Sequence, residues 1–392
     1  MLVWIAAPLS GAEINNAAKK VIKKTGAVIG NAGGVLSEPI RNPRAAVRRW
    51  FDYDPRIESG EKKNFNILPL IVSSPERGFG FGLKFAEASF WRKSDVVRVQ
   101  AVQTLKNKSS FEIKYELPPE MFAQAGGEIL VSYENYTRFY YGVGNRTSAD
   151  NKSEYTPEFL EFKLPLLFAV RDKLHLGLTL NYQNWKMVET GTSGTLRRDL
   201  PNLFGADTSR LWTTGLLLRW DDRDSRSDPT HGHYLETGFE YTDQLASPKQ
   251  DYQRATVEYR FFHPLAPRSR QIIAARFYMN YKKGNTPFYV LPELGGIYFN
   301  RGLIEGRFRD TLSICGNLEY RLKIYQRLHW AFFVDAGNVY SAFSAVTPAY
   351  TKFTGGTGMR YYVPPGNLLL VRIDGGYSAE DFLVYLTFDH PF

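Results

Sequence analysis

The sequence carries one cysteine, Cys315, in 392 residues. A lone thiol can form no internal disulfide and no paired-cysteine metal or redox site, so cysteine usage says nothing about compartment. Long apolar runs are also missing. The longest, Leu2 to Ala12, falls well short of the roughly 18 residues a membrane-spanning helix needs, which excludes a helical membrane protein. Acidic residues are the minority charge: 40 Asp and Glu face 49 Lys and Arg, leaving +9. That excess permits an anionic partner without identifying one. An apolar content of 43% with 23% charged residues excludes a disordered chain. Aromatic residues, by contrast, are plentiful. The 27 Phe, 24 Tyr and 7 Trp make up 15% of the chain, yet its mean hydropathy is −0.33.

Residues 1–60 stand apart, with nine Lys and Arg against five Asp and Glu and no two-residue periodicity. The pairs Lys19-Lys20, Lys23-Lys24 and Arg48-Arg49 read as a solvated or headgroup-facing surface in preference to a nucleic-acid site. Leu2 to Ala12 has the texture of the apolar half of a secretory signal, without the positively charged start. From Phe65 onward the pattern changes to segments in which apolar and polar side chains alternate, which predicts strands. In Thr311 to Lys323, for example, Leu312, Ile314, Leu318, Tyr320 and Leu322 oppose Thr311, Ser313, Asn317, Glu319, Arg321 and Lys323.

Sixteen such segments are predicted: 65–72, 79–91, 97–106, 109–117, 126–137, 154–166, 173–187, 211–221, 233–243, 251–261, 271–282, 311–322, 328–336, 355–363, 367–377 and 382–392. The number is even, and short connections such as 167–172 and 323–327 alternate with long ones such as 188–210 and 283–310. An all-β, 16-stranded antiparallel transmembrane β-barrel over 65–392, with short periplasmic turns and long outer loops, produces this texture. A soluble β-sandwich would alternate too. Against it, the apolar faces carry aromatic residues toward strand ends, at Tyr259/Phe261, Trp212/Trp220 and Phe388/Phe392, as girdles at two lipid interfaces require. The expected location is the bacterial outer membrane, with its lipids as one partner.

In a barrel the polar face lines the lumen, so Glu319 and Asp335 on successive strands are expected to point inward. Inward carboxylates need a cation, and a guanidinium fork suits two of them. The preceding loop, 283–310, supplies Arg301, and Gly302 beside it allows a tight backbone turn. Two further stretches stand out: the turn Trp220 to Gly232, with Asp221, Arg223, Asp224, Pro229 and Gly232, and the last strand, with Phe388 and the terminal Phe392 of His-Pro-Phe.

With these residues in view, the chain resembles the BamA/TamA outer-membrane assembly-factor superfamily, also called bacterial surface antigens, over about residues 65–392. The resemblance implies that a long sixth outer loop folds back into the lumen and ends in an Arg-Gly tip, here Arg301-Gly302, held by acidic residues on strands twelve and thirteen, here Glu319 and Asp335. It rests also on Asp221 to Gly232 at the turn into strand nine, on Phe333-Val-Asp-Ala-Gly-Asn-Val-Tyr340, and on His390-Pro-Phe392 as a C-terminal strand signal. Here the tip is flanked by Asn300 and Leu303 where the family has Val or Ile and an aromatic residue. Residues 1–60 show neither the length nor the rhythm of a periplasmic POTRA domain. Asn42 to Asp54 reads as a short amphipathic helix or as an unstructured leader.

Enzymatic readings do poorly. Gly78-Phe-Gly-Phe-Gly82 has no helix after it and reads as hairpin glycines. Asp221 to Asp228 lacks the glycine and terminal glutamate of a calcium loop, and His231 and His233 have no third ligand. No catalytic residue, metal, cofactor, nucleic acid or small-molecule substrate is expected. The resemblance implies a function in assisting insertion or translocation of unfolded outer-membrane or secreted proteins, through a weakly paired seam between the first and last strands; Pro69 and Pro391, which donate nothing to a ladder, support thin pairing there. The alternative is a passive channel or a structural outer-membrane protein.

Overall fold

A computed structural model of the chain describes residues 65–392, apart from short stretches at 75–77, 89, 92–94, 123–124, 192, 206–207, 226–227, 245–250, 267–269, 364–368 and 389. The expectations for residues 1–60, a signal remnant followed by a helix or leader, lie outside the described residues. Sixteen long strands follow one another. They are strand one, Phe65–Ser74; two, Gly78–Ala88; three, Val96–Thr104; four, Ser109–Phe122; five, Ala125–Glu134; six, Ser153–Arg171; seven, Leu174–Thr190; and eight, Ser209–Asp221. The second half comprises nine, Gly232–Gln244; ten, Tyr252–Pro264; eleven, Gln271–Gly284; twelve, Leu312–Lys323; thirteen, Leu328–Tyr340; fourteen, Lys352–Val363; fifteen, Leu369–Tyr377; and sixteen, Phe382–Phe388. Each pairs antiparallel with its neighbours in sequence, and strand one also meets strand sixteen, so the sheet closes into a barrel.

Closure follows from the two-faced strands. On strand thirteen Phe332 and Val334 are 52% and 55% exposed, whereas Ala331, Phe333 and Asp335 between and beside them are buried. The exposed apolar face continues through Phe79 and Phe81, Leu176 and Leu178, Leu216 and Leu218, and Phe277. In water so much exposed apolar surface invites aggregation; in a bilayer it is the lipid-facing band. The other face carries charge in pairs. Arg219 meets Glu236 at 2.6 Å, Arg254 meets Glu240 at 3.0 Å, and Glu258 takes both Arg260 and Arg276 at 2.7 Å. An aromatic-rich chain of negative mean hydropathy is the sum of these two faces.

The strands' ends set the geometry of everything else. Strand one begins, and strand sixteen ends, at the side of the short turns such as 172–173 and 324–327, and the long connections 135–152, 191–208 and 285–311 all lie at the other side. Strand one pairs with strand two at ten positions, from Phe65 to Ser74, whereas among the described residues its pairing with strand sixteen is the one position where Ser73 faces Leu386.

Strand sixteen also corrects one expectation. The segment predicted over 382–392 stops at Phe388. Phe392 is therefore not an outward residue at a lipid interface: it is 5% exposed and packs with Phe262 of strand ten and Ala274 of strand eleven. Pro391 lies past the paired segment, so it is not what thins the seam. Phe388 packs, partly buried, against Leu70, Val72 and Val102. Proline has no N–H with which to prolong a ladder, and the terminal ring gains more by burial on another aromatic than by exposure beyond the strand end.

Candidate functional site

The long connection between strands eleven and twelve is tied to two walls. Phe288 and Tyr289, near its start, belong to an aromatic cluster with Tyr155, Phe159, Trp185 and Leu211 of strands six to eight. Leu294, Leu303 and Phe308 pack with Cys315 and Val339 of strands twelve and thirteen. A two-residue ladder joins Glu293–Leu294 to Phe308–Arg309, and the segment between them carries Arg301.

Arg301 is 1% exposed, and every donor it turns to a carboxylate finds one. Its Nε and Nη2 donate to the two oxygens of Asp335, each at 2.9 Å, and its backbone N–H adds a third bond to Asp335 at 3.1 Å. Its Nη1 donates to Glu319 Oε2 at 2.7 Å and lies 3.5 Å from Asp374 Oδ2. The face of the guanidinium sits 3.5 Å from the Phe333 ring centroid. Burial alone would lower the pKa of Arg301; Asp335 and Glu319 outweigh it and raise it, so the group stays charged.

Gly302 follows with φ of +110°, a conformation that L side chains rarely adopt. A Cβ there would stand 2.9 Å from the carbonyl carbon of Tyr377, and a Cβ on Gly376 would stand 2.7 Å from Arg301 C and Gly302 N. Two glycines thus let the tip lie directly on the backbone of strand fifteen. Strand sixteen holds it from the next position, where the Tyr385 hydroxyl accepts from Gly302 N at 3.1 Å and donates to Leu303 O at 3.3 Å.

The sequence pointed to Arg301, Gly302, Glu319 and Asp335, and the structure brings all four together. It adds residues that the reading missed. Arg321 donates to Glu319 Oε1 at 2.8 Å, Arg360 to Glu319 Oε2 at 3.0 Å and to Asp374 Oδ1 at 2.5 Å, and Arg372 to Thr387 at 2.9 Å, 3.6 Å from Asp374. Inward phase on strands twelve, fourteen and fifteen was the available signal for them. Four arginines now surround three carboxylates, and the Nη1 and Nη2 of Arg321, Nε of Arg360 and Nη1 of Arg372 have no hydrogen-bond partner. Carboxylates held this way by guanidinium groups are not poised as general acids, bases or metal ligands.

The turn between strands eight and nine is knotted by its own carboxylates. Arg223 forks onto Asp221 with two bonds of 2.8 Å and lies 4.5 Å over the Tyr234 ring. Asp224 accepts from the backbone of Thr230 at 2.8 Å and of His231 at 3.2 Å, Pro229 is buried, and Gly232 has φ of +105°. Asp228 reaches the far end of the chain: its Oδ1 lies 3.3 Å from His390 Nε2, which is also 3.0 Å from the Tyr362 hydroxyl. Burial alone would raise the Asp228 carboxyl, but the hydrogen bond and charge of His390, with the Tyr362 hydroxyl, hold it below the usual carboxylate range. Phe388 and Phe392, read as one terminal signal, go to different places, as described above.

Comparison with known proteins gives the family. The Omp85 superfamily domain is matched over residues 81–371, well over half of the chain. Among solved structures, BamA from Haemophilus ducreyi lacking POTRA domains 1–3 aligns with a TM-score of 0.57 at 14% identity, over 84% of this chain and 70% of that one. CdiB from Escherichia coli gives 0.56 at 13% identity, over 84% and 67%. CdiB from Acinetobacter baumannii gives 0.54 at 12%, over 84% of this chain but only 60% of its own length. These similarities show a shared fold. No curated protein matches the sequence. The closed sixteen-stranded sheet with its lipid-facing exterior, together with the domain match, makes this chain an outer-membrane β-barrel that belongs to the Omp85 superfamily.

Proposed function

We propose that this barrel assists the insertion or translocation of unfolded outer-membrane or secreted proteins, with the seam between strands one and sixteen as the place where an incoming strand pairs. The single register pair among the described residues, at Ser73 and Leu386, against ten between strands one and two, carries the reading. A strand edge with unpaired N–H and C=O groups is a template for another strand. Within the same reading, the long loop lies in the lumen, and Arg301, Gly302, Glu319 and Asp335 lock its tip so that the wall beside the incoming chain keeps its shape. None of them acts as a catalyst. The Asp221 to Gly232 turn keeps the neighbouring strands in register, and the surrounding lipids are the second partner.

Depletion of the protein from its cell tests this. Quantitative proteomics of the outer-membrane fraction is expected to show a several-fold fall in other barrel or secreted proteins. Unchanged levels overturn the proposal and favour a passive channel, which planar-bilayer recordings would register as steady conductance.

A further inference from the structure

We propose that the residues after strand sixteen form an internal strap that keeps the seam strand in place, fastened through Arg321 to the same carboxylate that holds the loop tip. A strand with seven partners on one edge, Phe382 to Phe388 against strand fifteen, and one on the other among the described residues should fray from its thinner side. Strand sixteen is instead gripped from within. Tyr385 holds the loop tip by two hydrogen bonds. Beyond Phe388, His390 contacts Asp228 of the turn after strand eight and Tyr362 of strand fourteen. Phe392 then lies tilted against Phe262 of strand ten, the ring centroids 6.5 Å apart.

Arg321 joins these contacts to the loop tip. Its guanidinium lies 5.5 Å from the Phe392 ring centroid and 5.6 Å from that of Phe262, so the cation faces both rings. Its Nε donates to Glu319 Oε1, whose other oxygen accepts from Arg301. The tail, Arg321, Glu319 and Arg301 therefore form one continuous chain of contacts. Two buried guanidinium nitrogens of Arg321 have no hydrogen-bond partner among the described residues, a cost that stability of strand twelve alone would not select, since an apolar side chain there would avoid it. A clasp between the tail and Glu319 does require this residue: only a long, flat cation can face the rings and reach the carboxylate together. The strap is indifferent to what passes the seam and would serve a channel as well as an assembly factor.

The test uses the full chain in liposomes, with Cys315→Ser as background. Ser73→Cys with Leu386→Cys places two thiols at the paired position of the seam. Removal of His390 to Phe392 is expected to lower the yield of that disulfide several-fold at a fixed time, and Arg321→Gln to reproduce most of the loss, with heat-modifiable gel migration retained. An unchanged yield in the truncated barrel overturns the proposal. If truncation prevents folding, Pro391→Cys in the intact chain decides instead. Its labelling by a polyethylene-glycol maleimide should be several-fold slower than that of Lys323→Cys, an exposed position at the same end of the barrel, and Arg321→Gln should remove the difference. Equal rates at the two positions without the Arg321 substitution also overturn it.

Discussion

The wall formed by strands twelve and thirteen and the seam between strands sixteen and one belong to the same closed sheet, yet their order comes from different sources. Strands twelve and thirteen are paired at twelve positions from Leu312 to Lys323, and their inner face carries ions removed from water. At the seam the ladder contributes Ser73 and Leu386, and side chains inside the barrel supply the rest. Buried ion clusters give little net stability, because desolvation offsets the Coulomb gain. Their value is directional, since a guanidinium taken out of water is acceptable in very few places. The loop tip is thus over-determined in position, while the seam is under-determined, and the first can compensate for the second through Gly302 and Tyr385.

The largest effect that would sharpen this contrast comes from Arg301→Ala. It strips two side-chain hydrogen bonds from Asp335 and one from Glu319 while both carboxylates stay buried, and breaking a buried pair from one side costs about 3–5 kcal/mol. Urea titration of the heat-modifiable band in liposomes measures it. Arg301→Lys should recover little, because an ammonium cannot fork onto Asp335 and reach Glu319 as well. Adding Asp335→Asn to Arg301→Ala should recover part of the loss, since the orphaned charge goes with its partner. A titration midpoint for Arg301→Ala equal to the parent's would show that the wall does not depend on the loop.

A smaller effect isolates the contact between tip and strand fifteen. Gly376 needs no unusual φ, so Gly376→Ala leaves the backbone unstrained and only drives a methyl into Arg301 and Gly302 at 2.7 Å. The expected cost is about 1–3 kcal/mol, as for other overpacked sites. In the Arg301→Ala background, where the tip is free to move, the same substitution should cost almost nothing. Additive losses in the double variant would mean that the glycine serves the strand and not the loop.

Much of this architecture was legible from alternation. Period two located all sixteen strands, and its phase placed Glu319 and Asp335 on one face because strands twelve and thirteen are adjacent in sequence. The same phase marks Arg360 and Asp374, but no local rule says that strands fourteen and fifteen lie within reach of a loop that leaves from strand eleven; that follows only once the barrel is closed and the loop has packed on Cys315 and Val339. The end of strand sixteen was misread for a related reason. Alternation is indifferent to whether a partner exists, and nothing in the sequence reveals that the strand ends at Phe388, or that an aromatic surface at Phe262 waits on strand ten.

The smallest effect concerns pH at the tail. Burial, reinforced by the nearby charge of Arg321, pushes His390 down to about 4, although its hydrogen bond to Asp228 pulls the other way. The charged and titratable groups about it are Arg321 of strand twelve, His329 of strand thirteen, Arg360 and Tyr362 of strand fourteen, and Asp228 of the turn. A released tail would have a histidine near its ordinary value of about 6.5, so the docked tail binds the proton less well. Its docking energy is therefore complete above that value and falls as pH drops toward 4. Asp228, held below the carboxylate range, adds loss of the same sign at still lower pH. A spin label at Pro391→Cys should show a mobile fraction that grows between pH 7 and 4.5, while the same label at Lys323→Cys stays constant. His390→Gln keeps a donor for Asp228 but cannot titrate, and it should flatten the profile above pH 5. If the profile instead survives that substitution, the acid response belongs to Asp228 or to the ion cluster, and the strap is held by Phe392 and Arg321 without help from the histidine.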